Sequence, residues 1–163
     1  MTRYARFATP LGTMVAVARD GRLAALDFED ARHAPAIGPA WREDPSASPL
    51  RECAAQLAEY FAATRRAFDL PLAPEGTPFQ QGAWSALRTI PYGTTVSYGH
   101  QAEVMGDRRK ARAVGMANGR NPIPIVVPCH RVVGSNGHLT GFAGGLEAKA
   151  WLLDHELRVR ATR

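Results

Sequence analysis

The first part of the chain, from Tyr4 to Asp30, has the short apolar runs and turn residues that are typical of β-strands. Residues 14–18 and 23–28 are largely apolar, and Asp20-Gly21 lies between them. This dipeptide favours a tight hairpin because both central positions of such a turn require positive φ. The pattern therefore predicts antiparallel strands, followed by a loop over residues 31–48, which are rich in Ala, Pro and Ser.

A helical period begins after that loop. Ser48-Pro49 has the form of an N-cap followed by proline at the first helical position. The predicted apolar face consists of Leu50, Cys53, Ala54, Leu57 and Phe61. Residues 68–72 are predicted to return as a strand, and residues 71–76 form the best candidate linker. We expect an N-terminal domain over 1–73 and a C-terminal domain over 74–163.

The second part of the chain has a helical period over much of its length. Thr77-Pro78 repeats the cap and the proline, and the face of the helix that follows consists of Phe79, Ala83, Leu87 and Ile90. Ser97 is predicted to cap a helix from Tyr98 to Met105, and Gly106-Asp107 separates it from a helix over about 108–118. Two short helices joined by such a turn indicate a helix-turn-helix. After a hairpin turn at 132–137, a last amphipathic helix has Leu146, Ala150, Leu153 and Leu157 on its predicted apolar face.

Composition indicates a globular protein with a strong division of charge. The chain has 163 residues, of which 45% are hydrophobic and 21% charged. It has neither a signal-like apolar run near its start nor a stretch long enough to span a membrane, so we expect a cytoplasmic protein without membrane contact. Residues 1–75 contain nine basic and ten acidic residues, whereas residues 76–163 contain eleven and five. The basic second half is expected to bind a polyanion.

The two cysteines, Cys53 and Cys129, differ in their surroundings, and neither has the spacing of a disulfide framework or a metal cluster. We expect no metal and no cofactor. Cys53 lies on the predicted apolar face of a helix, which indicates a core residue. Cys129 lies in Pro128-Cys129-His130-Arg131-Val132, after the apolar run 123–127. A cysteine beside a histidine can be a thiolate nucleophile with a nearby base, although buried core cysteines are common.

Two further features allow both a structural and a functional interpretation. The predicted helix over 108–118 begins with four basic residues and continues with small ones, which suits either a solvated face or close approach to a nucleic-acid groove. Glu156 falls in the last turn of the final predicted helix, where the helix dipole disfavours a carboxylate by ~0.3–1 kcal/mol. It is either a solvated acid or a carboxylate held there to orient His130.

The segment from Asn121-Pro122 to Pro128-Cys129-His130-Arg131-Val132, with the Gly-rich turn after it, resembles the signature of the O6-alkylguanine-DNA alkyltransferases, also called methylated-DNA–protein-cysteine methyltransferases. The resemblance covers roughly residues 79–156. It implies a ribonuclease-H-like α/β N-terminal domain, with an antiparallel sheet plus a helix, and a mainly α C-terminal domain with a winged helix-turn-helix. Some members of this family carry zinc in the N-terminal half.

The same resemblance implies a function in DNA repair. The protein is expected to move the alkyl group of O6-alkylguanine in duplex DNA directly to Cys129, once per molecule, after flipping the base through minor-groove binding. O4-methylthymine is a further candidate substrate. We expect a monomer in the absence of DNA.

Individual roles are also assigned, those of His130 and Glu156 from the chemistry of a thiolate and the others from the resemblance. His130 is the base for Cys129, reached through a water because adjacent side chains of an extended chain point to opposite faces, and Glu156 fixes its tautomer. Asn121 ties together the turn around the site, and Tyr98 protonates the departing guanine. The substrate pocket is assigned to Pro124, Val132, Phe142 and Ala143, where Phe142 replaces a tyrosine expected in many relatives. Arg112 fills the place of the flipped base, and DNA-backbone contacts fall on Gln80, Gly99, Asp107 and Ser135, although Gly99 and Asp107 lack the side chains those contacts need.

Two other functions are compatible with parts of the pattern. One is a lesion-binding or regulatory helix-turn-helix protein without transfer activity, which the thiol at the nucleophile position argues against. The other is a Cys-His hydrolase of peptides or acyl esters, which leaves the basic helix and the charge division unexplained.

Overall fold

The computed structural model describes residues 1–142 and 144–162, and the chain forms two compact units, Met1–Glu75 and Gly76–Arg163. The first unit contains four strands and one helix, and the second contains four α-helices with a two-stranded sheet, within the ranges described. No helix in those ranges combines the length and the apolar character that crossing a membrane requires.

The sheet of the first unit is built on the predicted hairpin. Strand β1 (Thr2–Thr9) pairs antiparallel with β2 (Gly12–Arg19), which pairs antiparallel with β3 (Arg22–Phe28). The turn between β2 and β3 has φ values of 52° at Asp20 and 76° at Gly21. The hairpin prediction is confirmed, because both turn residues adopt the positive φ that Asp-Gly favours.

The expectation of a purely antiparallel sheet is wrong at one edge. A short strand, β4 (Arg42–Glu43), pairs parallel with β1, so the order is β3-β2-β1-β4 and the sheet is mixed. The amide of Asp44 extends this pairing by donating to the carbonyl of Tyr4 at 2.9 Å. Both side chains of this short edge strand are exposed, since the strand only covers the backbone edge of β1. Its sequence therefore has no alternation of apolar and polar residues that would predict it.

Helix α1 (Leu50–Phe61) packs in the first unit with Leu50, Cys53 and Leu57 fully buried, as the apolar period predicts. Its start differs from the prediction, since Pro49 rather than Ser48 is the cap residue and the cap has no side-chain hydrogen bond. The predicted strand over 68–72 is also wrong. It is reduced to a single bridge between Leu23 and Leu72, beside prolines that cannot donate to a ladder.

The second unit begins with helix α2 (Pro78–Leu87), whose predicted start is confirmed by a capping box between Thr77 and Gln80. Ser97 caps helix α3 (Tyr98–Val104) by accepting from the amide of His100 at 3.0 Å. The predicted helix over 108–118 is divided into a 3₁₀ turn, Arg108–Lys110, and helix α4 (Ala111–Gly119). Helices α3 and α4 pack against each other and against α2.

The last part of this unit differs most from the predicted pattern. Strands β5 (Val96–Ser97) and β6 (Val132–Val133) pair parallel. The predicted turn after β6 is present, because the carbonyl of Gly134 accepts from the amide of Gly137 and the amide of Gly134 donates to the carbonyl of His138, both at 2.8 Å. Helix α5 (Leu146–Ala161) buries Ala148, Lys149, Leu152 and Glu156. The predicted apolar face is wrong, because Leu146 and Leu157 are 50% and 59% exposed.

Candidate active site

The segment before Cys129 is held by the side chain of Asn121. Its Nδ2 donates to the carbonyl of Val127 at 2.8 Å, and its Oδ1 accepts from the amide of Ile123 at 3.0 Å. The carbonyl of Ile123 in turn accepts from the amide of Val127 at 2.9 Å. Residues 123–127, in which Ile125 has a φ of 75°, therefore form a compact buried turn, and this turn positions Cys129.

Cys129 is 8% exposed and begins a 3₁₀ turn, Cys129–Arg131. Its amide donates to the carbonyl of Val127 at 2.8 Å. The backbone here is not extended, so the expectation that Cys129 and His130 point to opposite faces for that reason is wrong. A 3₁₀ turn instead sets successive side chains about one third of a turn apart.

His130 is fully buried, and its Nε2 lies 2.7 Å from Oε2 of Glu156. An ionised carboxylate only accepts hydrogen bonds, so the proton belongs on Nε2 and the lone pair on Nδ1. That Nδ1 has no hydrogen-bond partner among residues 1–142 and 144–162. Burial lowers the pKa of His130, an effect that the hydrogen bond and charge of Glu156 oppose. The geometry thus presents a neutral imidazole with an available basic nitrogen.

Glu156 is 1% exposed, which excludes a solvated acid. Its Oε1 accepts from the amide of Gly93 at 3.0 Å and from Nε of Arg131 at 2.9 Å, while its Oε2 accepts from Nη2 of Arg131 at 3.0 Å. Burial alone raises the pKa of Glu156, but the hydrogen bonds of His130 and Arg131 and the charge of Arg131 outweigh it and hold the pKa well below its usual range. The carboxylate therefore stays ionised and fixes the imidazole in one orientation.

Tyr98 lies at the start of α3, where its hydroxyl is 2.6 Å from Oγ1 of Thr140. Its ring faces the backbone of α4, since a Cβ placed on Gly115 would lie 3.6 Å from two ring carbons. Burial raises the pKa of Tyr98, a hydrogen bond with Thr140 lowers it, and the charge of a Cys129 thiolate raises it. The phenol is protonated at neutral pH and is able to donate a proton.

Sequence reasoning missed Lys149. This side chain is fully buried, its Nζ donates to the carbonyl of Thr140 at 2.8 Å, and it lies 5.9 Å from the ring centroid of Tyr98. Burial lowers the pKa of Lys149, and the charge of Cys129 opposes that effect. A signal was present in the chain: Lys149, Leu152 and Glu156 follow a helical period, so one lysine shares a face with the candidate carboxylate.

The predicted pocket residues fall into different places. Phe142 lies edge-on to the ring of His130, with 6.5 Å between centroids. Pro124 is buried in the turn before the cysteine, and Val132 is fully buried in the pair of β5 and β6. Ala143 lies outside the described residues. The structure thus brings Phe142 to the candidate site, whereas Val132 supports it from within the core.

The residues predicted to contact DNA are exposed or engaged in local contacts. Arg112 is exposed on α4, and Ser135 is exposed in the turn after β6. Gln80 uses its backbone amide as a donor and its side-chain Oε1 as an acceptor in the capping box of α2. Asp107 accepts from the amide of Arg109 and pairs with its side chain at 3.0 Å, so its carboxylate caps the 3₁₀ turn. Gly99 offers no side chain for a contact.

Comparisons with known proteins cover nearly all of the chain. The model of the 6-O-methylguanine DNA methyltransferase ribonuclease-like domain matches residues 2–74, and that of the DNA binding domain matches residues 78–158. A methylated-DNA–protein-cysteine methyltransferase of Methanosarcina acetivorans is 44% identical over 94% of this chain and 97% of that relative. The constitutive enzyme of that name from Bacillus subtilis is 44% identical over 96% of each chain. The crystal structure of Mycobacterium tuberculosis OGT in complex with DNA is 42% identical, with a TM-score of 0.88 over 96% of this chain and 94% of that one.

A ribonuclease-like N-terminal domain followed by a DNA-binding domain that carries a buried Cys-His-Glu arrangement defines a DNA-modifying class of protein. The chain belongs to the 6-O-methylguanine DNA methyltransferase family, as its cysteine motif predicts. It is thus a DNA-repair methyltransferase of the protein-cysteine type, and the predicted two-domain architecture is confirmed at that level.

Proposed function

We propose that the protein repairs alkylated guanine in duplex DNA by moving the alkyl group onto the sulfur of Cys129, and that each molecule reacts once. One observation carries this proposal: the cysteine is followed directly by a buried imidazole whose Nε2 is held 2.7 Å from the ionised Glu156. This arrangement leaves Nδ1 of His130 as the only basic ring nitrogen. Membership of the family supports the choice of an alkylated base as the substrate.

The transfer balances in protons and bonds. The thiol of Cys129 gives its proton through a water to His130, and the thiolate attacks the alkyl carbon in line with the bond to O6. The carbon–oxygen bond breaks as the carbon–sulfur bond forms. The departing guanine takes a proton from the phenol of Tyr98, which recovers it from the imidazolium through solvent. The product is a thioether, which has no leaving group that water can expel, so the thiol is not regenerated.

The reacting carbon lies inside the base stack of a duplex, so the nucleotide must be flipped out at a cost of a few kcal/mol. We assign this step to the helix-turn-helix formed by α3 and α4, with Gly106 at φ 111° in the connection. Arg112 is the exposed side chain on α4 that fills the vacated place. The turn after β6, with the paired β5 and β6, corresponds to the wing of a winged helix-turn-helix.

Phosphate contacts near α3 fall to Arg108 in this proposal. Its guanidinium lies 3.4–3.6 Å from the place that a Cβ on Gly99 would occupy, and it pairs with Glu103 at 2.7 Å. The arginine therefore covers the position where Gly99 has no side chain. Further contacts to the DNA backbone come from the side-chain amide protons of Gln80 and from the side chain of Ser135.

The experiment is a titration of protein into excess methylated duplex, followed by intact mass spectrometry. We expect one added methyl group per active molecule, located on Cys129 by peptide mapping. Cys129→Ser should remove the transfer, and Cys53→Ser, which changes the other thiol, should keep it. A lesion-binding protein without transfer activity would bind the methylated duplex and gain no mass, and continued turnover would contradict a single-use acceptor.

A further inference from the structure

Helix α4 carries one large apolar side chain on its exposed face. Met116 is 73% exposed, whereas Val114, Ala117 and Asn118 of the same helix are buried. The exposed strip of this helix, together with the cap residue that follows it, is called the α4 strip and consists of Arg112, Ala113, Met116, Gly119 and Arg120. Met116 contributes little to the core, and what distinguishes it from other exposed apolar side chains is its place between two arginines on one face of the helix.

The α4 strip has a regular chemical order. Arg112 lies four residues before Met116 and Arg120 four residues after it, which is about 6 Å along a helix in each direction. The residues between them on the strip, Ala113 and Gly119, are small. A flexible thioether side chain is therefore flanked by two guanidinium groups, and the residues next to it on the strip are too small to hinder its approach to a partner.

The strip also adjoins the candidate active site. Gly115, the residue before Met116, faces the ring of Tyr98, whose hydroxyl contacts Thr140. Met116 follows about 100° around the helix, so the exposed strip lies beside the helix face that packs on Tyr98. A nucleotide whose base reaches Tyr98 would place its neighbour in the duplex close to Met116.

The DNA minor groove is the partner that suits an apolar side chain flanked by two arginines. Its rims are phosphates, which attract the two arginines, and its walls are the apolar edges of the deoxyriboses. The groove is about 6 Å wide, and proteins that bind there insert apolar wedges, methionine among them, between base-pair steps. Alanine or glycine would approach the groove without filling it, and a charged side chain would lose its hydration there.

Resting on the function proposed above, we propose that Met116 is an apolar minor-groove contact beside the flipped base, and that it makes duplex binding depend on how easily the neighbouring base-pair step opens. Pyrimidine–purine steps such as TA unstack readily, whereas A-tracts are stiff and have a narrow minor groove. Repair should therefore be favoured where a flexible step adjoins the lesion.

The test compares Met116→Ala, Met116→Leu and Met116→Gln on two methylated duplexes, one with a TA step beside the lesion and one with the lesion in an A-tract. We expect Met116→Ala to bind the TA duplex roughly tenfold more weakly and to lose most of the preference for it. Met116→Leu should stay near wild type, and Met116→Gln, which keeps the length, should resemble the alanine variant. Leu157→Ala, an exposed apolar side chain on α5, is the matched control and should bind as wild type does.

Reaction with free O6-benzylguanine separates this inference from the proposed function. All Met116 variants should react with the free base at the wild-type rate and should melt at the wild-type temperature, since the side chain is exposed. Wild-type protein that gains no methyl group from either methylated duplex would refute the proposed function. Met116→Ala that binds both duplexes as tightly and with the same preference as wild type would overturn the groove contact, as would an equal loss of rate with the free base.

Discussion

Replacement of Lys149 should change the stability of the protein and the rate of alkyl transfer in opposite directions. Lys149→Met removes the charge and keeps the length of a fully buried side chain. The lysine loses hydration on folding, and one hydrogen bond from its Nζ to the carbonyl of Thr140 offsets part of that loss. Replacement of buried charge by an apolar side chain of similar volume is often neutral or stabilising, so we expect the variant to be about 1 kcal/mol more stable at neutral pH.

The rate should change in the opposite direction. Nζ lies 5.9 Å from the ring of Tyr98, where a full unit charge interacts by about 3 kcal/mol at an effective dielectric constant of about 20. If about half a negative charge develops on the phenol as it protonates guanine, the lost stabilisation is about 1.4 kcal/mol. Transfer should then slow roughly tenfold.

The pH dependence of stability follows from the same group. Burial lowers the pKa of Lys149 from its ordinary 10.5, with Cys129 opposing. Between the lowered pKa and 10.5 only the unfolded chain keeps the proton, so the stability of the wild-type protein rises with pH through that window. Lys149→Met lacks this gain in stability. The amount by which the variant is more stable than the wild-type protein should therefore shrink as the pH becomes alkaline.

Chemical denaturation from pH 7 to 10 and single-turnover transfer from free O6-benzylguanine measure both effects. Lys110→Met is the matched control, because Lys110 lies at a similar distance, 5.8 Å, from the ring of Phe79 but is exposed. It should change neither quantity. An unchanged transfer rate in Lys149→Met would refute the role of its charge, and a less stable variant would refute the expected cost of burying that charge.

Three further predictions concern DNA binding and the first unit. Arg112→Ala should slow repair of methylated duplex far more than reaction with free O6-benzylguanine, and equal slowing would refute base flipping by this residue. Arg108→Ala should reduce the salt dependence of duplex binding by about one unit of slope, whereas Arg158→Ala, whose arginine pairs with Asp154 on α5, should leave it unchanged. Burial raises the pKa of Asp27 to about 6, so ionisation should cost stability as pH rises from about 4 to 6. Asp27→Asn, which still accepts from the amide of Phe28, should be more stable above that window by about 3 kcal/mol, with no gain at pH 3 in denaturant titrations.

The sequence by itself determined the features that depend on neighbouring residues. Asp20-Gly21 specifies its turn because the required φ values belong to those two residues. Thr77 specifies the start of α2 because its partner, Gln80, is three residues away. The cysteine motif identified the family because it is continuous in the chain, and Asn121 closes its turn through residues at most six positions distant. The sequence also indicates Glu156 as a candidate, yet it leaves open whether this side chain is solvated.

Tertiary structure decided which face of α5 is buried. An apolar period selects Leu146 and Leu157, but the helix turns Lys149 and Glu156 inward, where partners outside the helix meet both side chains. Glu156 is stabilised by Arg131 and by the amide of Gly93, 25 and 63 residues distant. A buried charge is tolerated only where such partners meet it, and local sequence does not show where they will be. The same reason explains why Lys149 was missed: its position beside Tyr98 exists only after α3 and α5 have packed around the cysteine.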